Sequence, residues 1–140
     1  MLDLDERLKT FIQKVNPKNE LSSKCGLGFV PPSGKMSLQM DPGSKAIETY
    51  WNGNEEMAMN FELALNGVDY PSAREALAPV IDELTSLKED EIVSSNGSFE
   101  FDHIEVTGMP FNQVIDLDGS VYWLTNFICY VTKINNKEAI

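Results

Sequence analysis

The ten residues EMAMNFELAL, positions 56–65, decide how the chain is read. Met57, Met59, Phe61, Leu63 and Leu65 alternate with Glu56, Ala58, Asn60, Glu62 and Ala64. One side of the segment is large and apolar, the other small or polar. This two-residue period belongs to a β-strand with one face on a core. Asn66-Gly67 ends it. Before it, Trp51-Asn52-Gly53-Asn54 reads as a hairpin turn, because Asn-Gly readily takes the positive φ values of a type I′ turn. Residues 45–51 are then the partner strand. Further upstream, Met36, Leu38 and Met40 alternate with Ser37 and Gln39, a half-buried strand, followed by the turn signal Asp41-Pro42-Gly43. A short strand over residues 26–30 is stopped by Pro31-Pro32 and Ser33-Gly34.

Two amphipathic segments flank this strand set. Leu4, Leu8, Phe11, Ile12 and Val15 recur at spacings of three and four and predict a helix over residues 2–15. Asp3, Asp5 and Glu6 in its first turn suit the helix dipole, and Asn16-Pro17 stops it. Residues 16–24 read as a loop. A second helix is expected from Pro71-Ser72, with Ser72 and Glu75 as a capping box. Leu77, Val80, Ile81, Leu84 and Leu87 form its buried stripe, and Pro79 inside it should kink it or leave a carbonyl unpaired. Lys88 to Glu91 is a charged exit and residues 92–97 a loop. Phe99, Phe101, Ile104 and Val106 mark a strand whose alternation slips near Asp102-His103, which predicts a bulge. Gly108-Met109-Pro110 is expected to break the chain. Residues 111–115 and 121–131 then form a last pair about an Asp116-Leu117-Asp118-Gly119 hairpin turn. The final strand, VYWLTNFICYV, is apolar on both faces, so it should be central or covered on its second face by a helix or a neighbouring subunit. Grouped rather than alternating elements give an α+β fold: a mainly antiparallel β-sheet with two helices packed on one face. Residues 1–134 are expected to form a single domain and residues 135–140 a flexible tail.

The composition narrows the possible roles. The chain has 140 residues, 42% of them hydrophobic, and 22 acidic against 11 basic residues give a formal charge of −11. Such a charge repels nucleic acid phosphates at long range and speaks against duplex binding as the main task. It remains compatible with a wall past which DNA slides. Cys25 and Cys129 lack metal-site spacing and read as reduced thiols of a cytosolic protein. The opening MLDLDERLK is acidic where a secretory signal needs positive charge. No apolar run approaches the ~20 residues of a membrane span, so neither export by a signal nor membrane anchoring is expected.

Signals for catalysis are weak. His103, the single histidine, lies inside a strand without a nucleophile elbow or cysteine motif. Gly26-x-Gly28 and Pro42-Gly43-Ser44-Lys45 lack the spacing of phosphate loops. Asp116-x-Asp118-Gly119 opens like a calcium loop, but Phe127 stands where the bidentate glutamate would be. Glu89-Asp90-Glu91 and Glu55-Glu56 read as solvated charge. No catalytic residue, cofactor or metal is expected. The aromatic residues Tyr50, Trp51, Tyr122 and Trp123 point elsewhere, since Trp and Tyr are enriched at interface centres. The candidate interface comprises Tyr50, Trp51, Tyr122, Leu124, Ile128 and Tyr130.

Four segments together resemble a known family: LDERLKTFI at 4–12, KAIETYWNGNEEMAMNFELALNG at 45–67, PSAREALAPVIDELTSL at 71–87 and FNQVIDLDGSVYWLTNFICYVTK at 111–133. Their order and apolar positions resemble the small minor capsid or tail terminator (tail completion) proteins of long-tailed bacteriophages and prophages. The resemblance spans nearly the whole chain and is a pattern of elements without a catalytic signature. It implies a subunit of a ring, commonly a hexamer, that caps the tail tube and joins it to the head connector. The implied partners are further copies of itself and the tail-tube and head-connector proteins, with DNA passing unbound and no membrane. The implied location is the virion, with assembly in the bacterial cytoplasm. Under this reading SGKMSLQMDPGSK, residues 33–45, is a candidate docking arm, beside the sheet edges and the outer side of the last strand. A monomeric acidic protein-binding module, such as an immunity or regulatory protein, is the alternative.

Overall fold

A computed structural model describes residues 2–28, 31, 33–41, 45–115, 117, 119 and 121–134, for residues 108–112 the backbone alone. Strand β4 (Glu55–Asn66), the segment with the clean alternation, organises the sheet. Met59, Phe61, Leu63 and Leu65 are buried along one face of it. Strand β2 (Met36–Met40) pairs antiparallel with its second half, Leu38 opposite Leu63, and strand β3 (Lys45–Thr49) with its first half on the same side. Strand β6 (Val121–Lys133) pairs antiparallel along its whole length, Phe61 opposite Phe127. Strand β5 (Phe99–Ile115) lies beyond β6, and the two-residue strand β1 (Gly26–Leu27) runs parallel to β2. The sheet of the described residues has six strands in the order β1-β2-β4-β6-β5, with β3 also on β4. The fold is α+β with a largely antiparallel sheet.

Helix α1 (Leu4–Val15) buries Leu4, Leu8 and Ile12. Helix α3 (Tyr70–Thr85) buries Ala73, Ala76, Leu77, Val80, Ile81 and Leu84. Both join the row that β4 and β6 present: Met59, Phe61, Leu63, Leu65, Trp123, Phe127, Cys129 and Val131 form one apolar cluster with them. At its centre the rings of Phe61 and Phe127 stack at 5.5 Å.

Several sequence expectations are corrected by local chemistry. The stretch before Cys25 is not all loop: Asn19 accepts hydrogen bonds from the amides of Leu21 and Ser22 and caps a short helix α2 (Glu20–Ser23). The cap of α3 is Asp69, whose carboxylate accepts from the Ser72 amide at 2.9 Å, so Ser72 lies inside the helix and the expected capping box is absent. The β3–β4 turn is not type I′, because only Gly53 has positive φ, at 92°. The Gly53 amide donates to Tyr50 and the Tyr50 amide to Asn54. That is a type I turn followed by a left-handed glycine, the three-residue hairpin loop.

Residues 108–110 do not break the chain. Strand β5 continues through them, and its register against β6 slips between Thr107 and Asn112, so an irregularity replaces the break. The bulge predicted near Asp102-His103 is present, with the register shifting between Phe101 and His103. The described first part of the 33–45 stretch is not an arm: Met36 and Leu38 are buried and residues 36–40 pair with β4. The expectations for residues 29, 30, 32, 42–44, 116, 118, 120 and the tail 135–140 lie outside the described residues.

The layout has two distinct ends. At the lower end lie the β3–β4 turn, the start of β5 and the start of α1, where Ser98 donates to Asp3. At the upper end lie the close of β4 and the start of α3, where the Tyr70 and Trp123 rings are 5.5 Å apart. Strand β4, with 12 residues, spans about 40 Å between them.

Candidate assembly surface

In β6 the odd positions face the helices, so the even positions face the opposite way. Tyr122, Leu124, Asn126, Ile128 and Tyr130 form that row, and each is half-buried rather than buried. Cross-strand pairing extends it sideways. Asn66 and Val114 flank Tyr122, Ala64 and Asn112 flank Leu124, Asn60 and Glu105 flank Ile128, and Ala58 and His103 flank Tyr130. Neither α1 nor α3 covers this face, because their buried side chains belong to the cluster on the other one. At its upper end the buried Asn66 amide donates to the Pro31 carbonyl at 2.9 Å, which ties the stretch before β2 to the end of β4.

Acids frame the apolar row. Glu48 and Glu56 sit opposite each other at the lower end, Glu62 beside Asn126, Glu100 beside Thr132 and Glu105 beside Ile128. Burial, then the nearby Asp41, push the Glu62 carboxyl up, against a hydrogen bond from Gln39. Tyr130 donates its hydroxyl to Glu105 at 3.3 Å, and its phenol is shifted up, first by desolvation and then by Glu105. Tyr50 is raised in the same way, by desolvation and then by Glu56 and Glu48. Lys45, opposite Ala58, is the cation that the pairing places on this face.

The six expected interface residues divide between two places. Tyr122, Leu124, Ile128 and Tyr130 share the open face of β6. Tyr50 and Trp51 stand at the lower hairpin, Tyr50 leaning towards Glu56 and Trp51 fully exposed, at 100%. Trp123, weighed with them in the sequence, belongs to the core and donates its indole N–H to the Val68 carbonyl at 2.9 Å. Leu117 is exposed at the opposite, upper hairpin together with Val114 and Ile115.

His103 stacks on Tyr130 at 4.5 Å and lies 3.4 Å from Asp102, with half of each side chain in solvent. Cys25 and Cys129 are both buried, and burial pushes the Cys25 thiol up to about 12 and the Cys129 thiol also well up. A nucleophilic thiolate needs the reverse. Among the described residues no three histidine, cysteine or acidic side chains gather as metal ligands, and no helix is long and apolar enough to cross a membrane.

A groove of about 670 Å³ opens at the upper end. It runs between the close of α1 and the first turns of α3, lined by Lys18, Tyr70, Pro71, Arg74, Glu75 and Pro79 among others. Its one legible element was Pro79, a helix-interior proline.

No protein-family model matches the chain, and no curated protein matches it either.

Proposed function

We propose that the chain is a structural subunit of a phage virion, a tail terminator that assembles into a ring with copies of itself on the end of the tail tube. The observation supporting this reading is the sheet face that neither α1 nor α3 covers, where Tyr122, Leu124, Ile128 and Tyr130 share a row with Asn126, together with a fully exposed Trp51 at the lower hairpin. Partly exposed aromatic and aliphatic side chains set among polar neighbours have the make-up of an interface patch. The strand edges add to it. Strand β3 is exposed along its length and paired only with β4, and β5 is the terminal strand of the sheet order. Unpaired edges offer backbone hydrogen bonds to a neighbour. The charge of −11 suits a subunit past which DNA moves without sticking.

The test is two-part. Mass measurement in solution and on purified tail tubes should detect association. Electron microscopy of particles made without this protein should reveal overlong tails. A chain that stays monomeric in both settings and leaves tail length unchanged is no terminator. The acidic frame of Glu56, Glu62, Glu100 and Glu105 favours a second reading, a monomeric module that binds a basic protein. Capture of a basic partner by the monomer, lost when these acids are replaced by glutamine, would support that reading instead.

A further inference from the structure

Trp51 is the largest exposed apolar side chain and projects from the tip of the β3–β4 hairpin. Glu48, Glu55 and Glu56 stand at its base. An indole so placed on a tight hairpin loop has the form of a knob. The groove between α1 and α3 has complementary features. Its walls include the flat surfaces of Tyr70, Pro71 and Pro79 and the cations Lys18 and Arg74, with Glu75 beside them. No ion pair among the described residues engages either cation. Its volume of about 670 Å³ lies among those of sites that hold small organic groups, roughly 300–1,000 Å³. Pro79 lacks an N–H, so the Glu75 carbonyl is without its ordinary helix donor, and an indole N–H is a donor that accepts nothing.

Knob and groove lie at opposite ends of the sheet, so a chain cannot fill its own groove. We propose that the Trp51 hairpin of one copy seats in the α1–α3 groove of the next. The acids at the hairpin base then meet Lys18 and Arg74, the ring lies against Tyr70, Pro71 and the Arg74 guanidinium, and the Glu75 carbonyl accepts the indole N–H. This deepens the assembly reading and rests on it, by naming the surfaces that meet.

The experiment uses the full chain, with sedimentation velocity over a concentration series. Trp51→Ala removes the knob from a fully solvated site, and Arg74→Glu reverses the charge of the groove on an exposed helix face. Each should weaken association at least ~30-fold, the loss expected of a central aromatic or arginine anchor, while circular dichroism stays that of the wild type. Mixing the two variants is the sharper arm. One retains an intact groove and the other an intact knob, so the mixture should form a one-to-one dimer and nothing larger. Wild-type-like association of both variants, or no complex on mixing, overturns the contact while leaving assembly standing. A wild-type chain that never associates removes both.

Discussion

Asp3 sits where α1 begins, yet it caps nothing in its own helix. Its carboxylate accepts from the hydroxyls of Ser94 at 2.6 Å, Ser95 at 2.7 Å and Ser98 at 3.0 Å, and from the Ser95 amide at 2.8 Å. Burial alone would raise this carboxyl, but the hydrogen bonds outweigh it and hold it well below the ordinary range. A carboxyl lowered by folding stabilises the folded state above its unfolded value, about 3.9. That contribution fades as pH falls further towards the folded value. Replacing Asp3 by Ala leaves several donors facing a gap and should cost about 2 kcal/mol at neutral pH, read by urea denaturation. The gap between variant and wild type should narrow below about pH 4, and a constant gap would mean the carboxylate charge is not what holds the loop. Nothing in the opening MLDLDERLK foretold this role, because the serines are more than ninety residues away. Asp69 was hidden for a different reason. The local Ser72–Glu75 pattern satisfies a capping motif on its own, and the backbone chose the earlier acid.

Among the elements, β4 was legible because its face rule is unbroken from Met57 to Leu65. Strand β5 was legible at one irregularity and misread at the other. The apolar phase slips between Phe101 and Ile104, and a slip of that kind has one structural solution, an extra residue in the ladder. Deleting Asp102 should therefore restore simple alternation, with Phe101 and Ile104 still inward and His103 outward. The variant should stay folded within about 1 kcal/mol of the wild type, whereas deleting Glu105 should swap Val106 for Thr107 in the core row and cost about 2–3 kcal/mol. Comparable urea midpoints for the two deletions would refute the bulge as a phase corrector. Gly108-Met109-Pro110 has the composition of a break, but β6 continues alongside and the pairing resumes at Asn112. Proline at an irregular ladder position forfeits little, since the bond it cannot make is already missing. The turn at Asn52-Gly53 was placed correctly and typed wrongly, because one residue more in the loop relieves Asn52 of a positive φ.

For the whole molecule, the single apolar cluster makes distant parts answer together. Cys25 lies at the β1 edge and Cys129 in the middle of β6, yet both are within it. Thiol reagents should leave both untouched in the folded chain and reach them together across one urea transition. Labelling of Cys25 well before Cys129 would mean that the β1 edge opens independently. Phe61→Ala, which removes one ring of the stacked central pair, should cost about 3–5 kcal/mol and shift both thiols to the same lower midpoint. The candidate site was legible only as a list of greasy positions. The even row of β6 follows from the strand period, but its exposure depends on both helices choosing the other face. The α1–α3 groove joins residues more than fifty positions apart, which no local pattern encodes.

A body that carries its protrusion at one pole and its recess at the other has a direction, like a link in a chain of hooks and eyes. Joining two such links uses one hook and one eye and leaves one of each, so every product is as reactive as its parts. Growth then ends only when the curve closes, and the turn between neighbours alone fixes how many links a loop contains. Slight tilting of the Trp51 hairpin would change that number, or open the loop into a fibre, without altering a single contact.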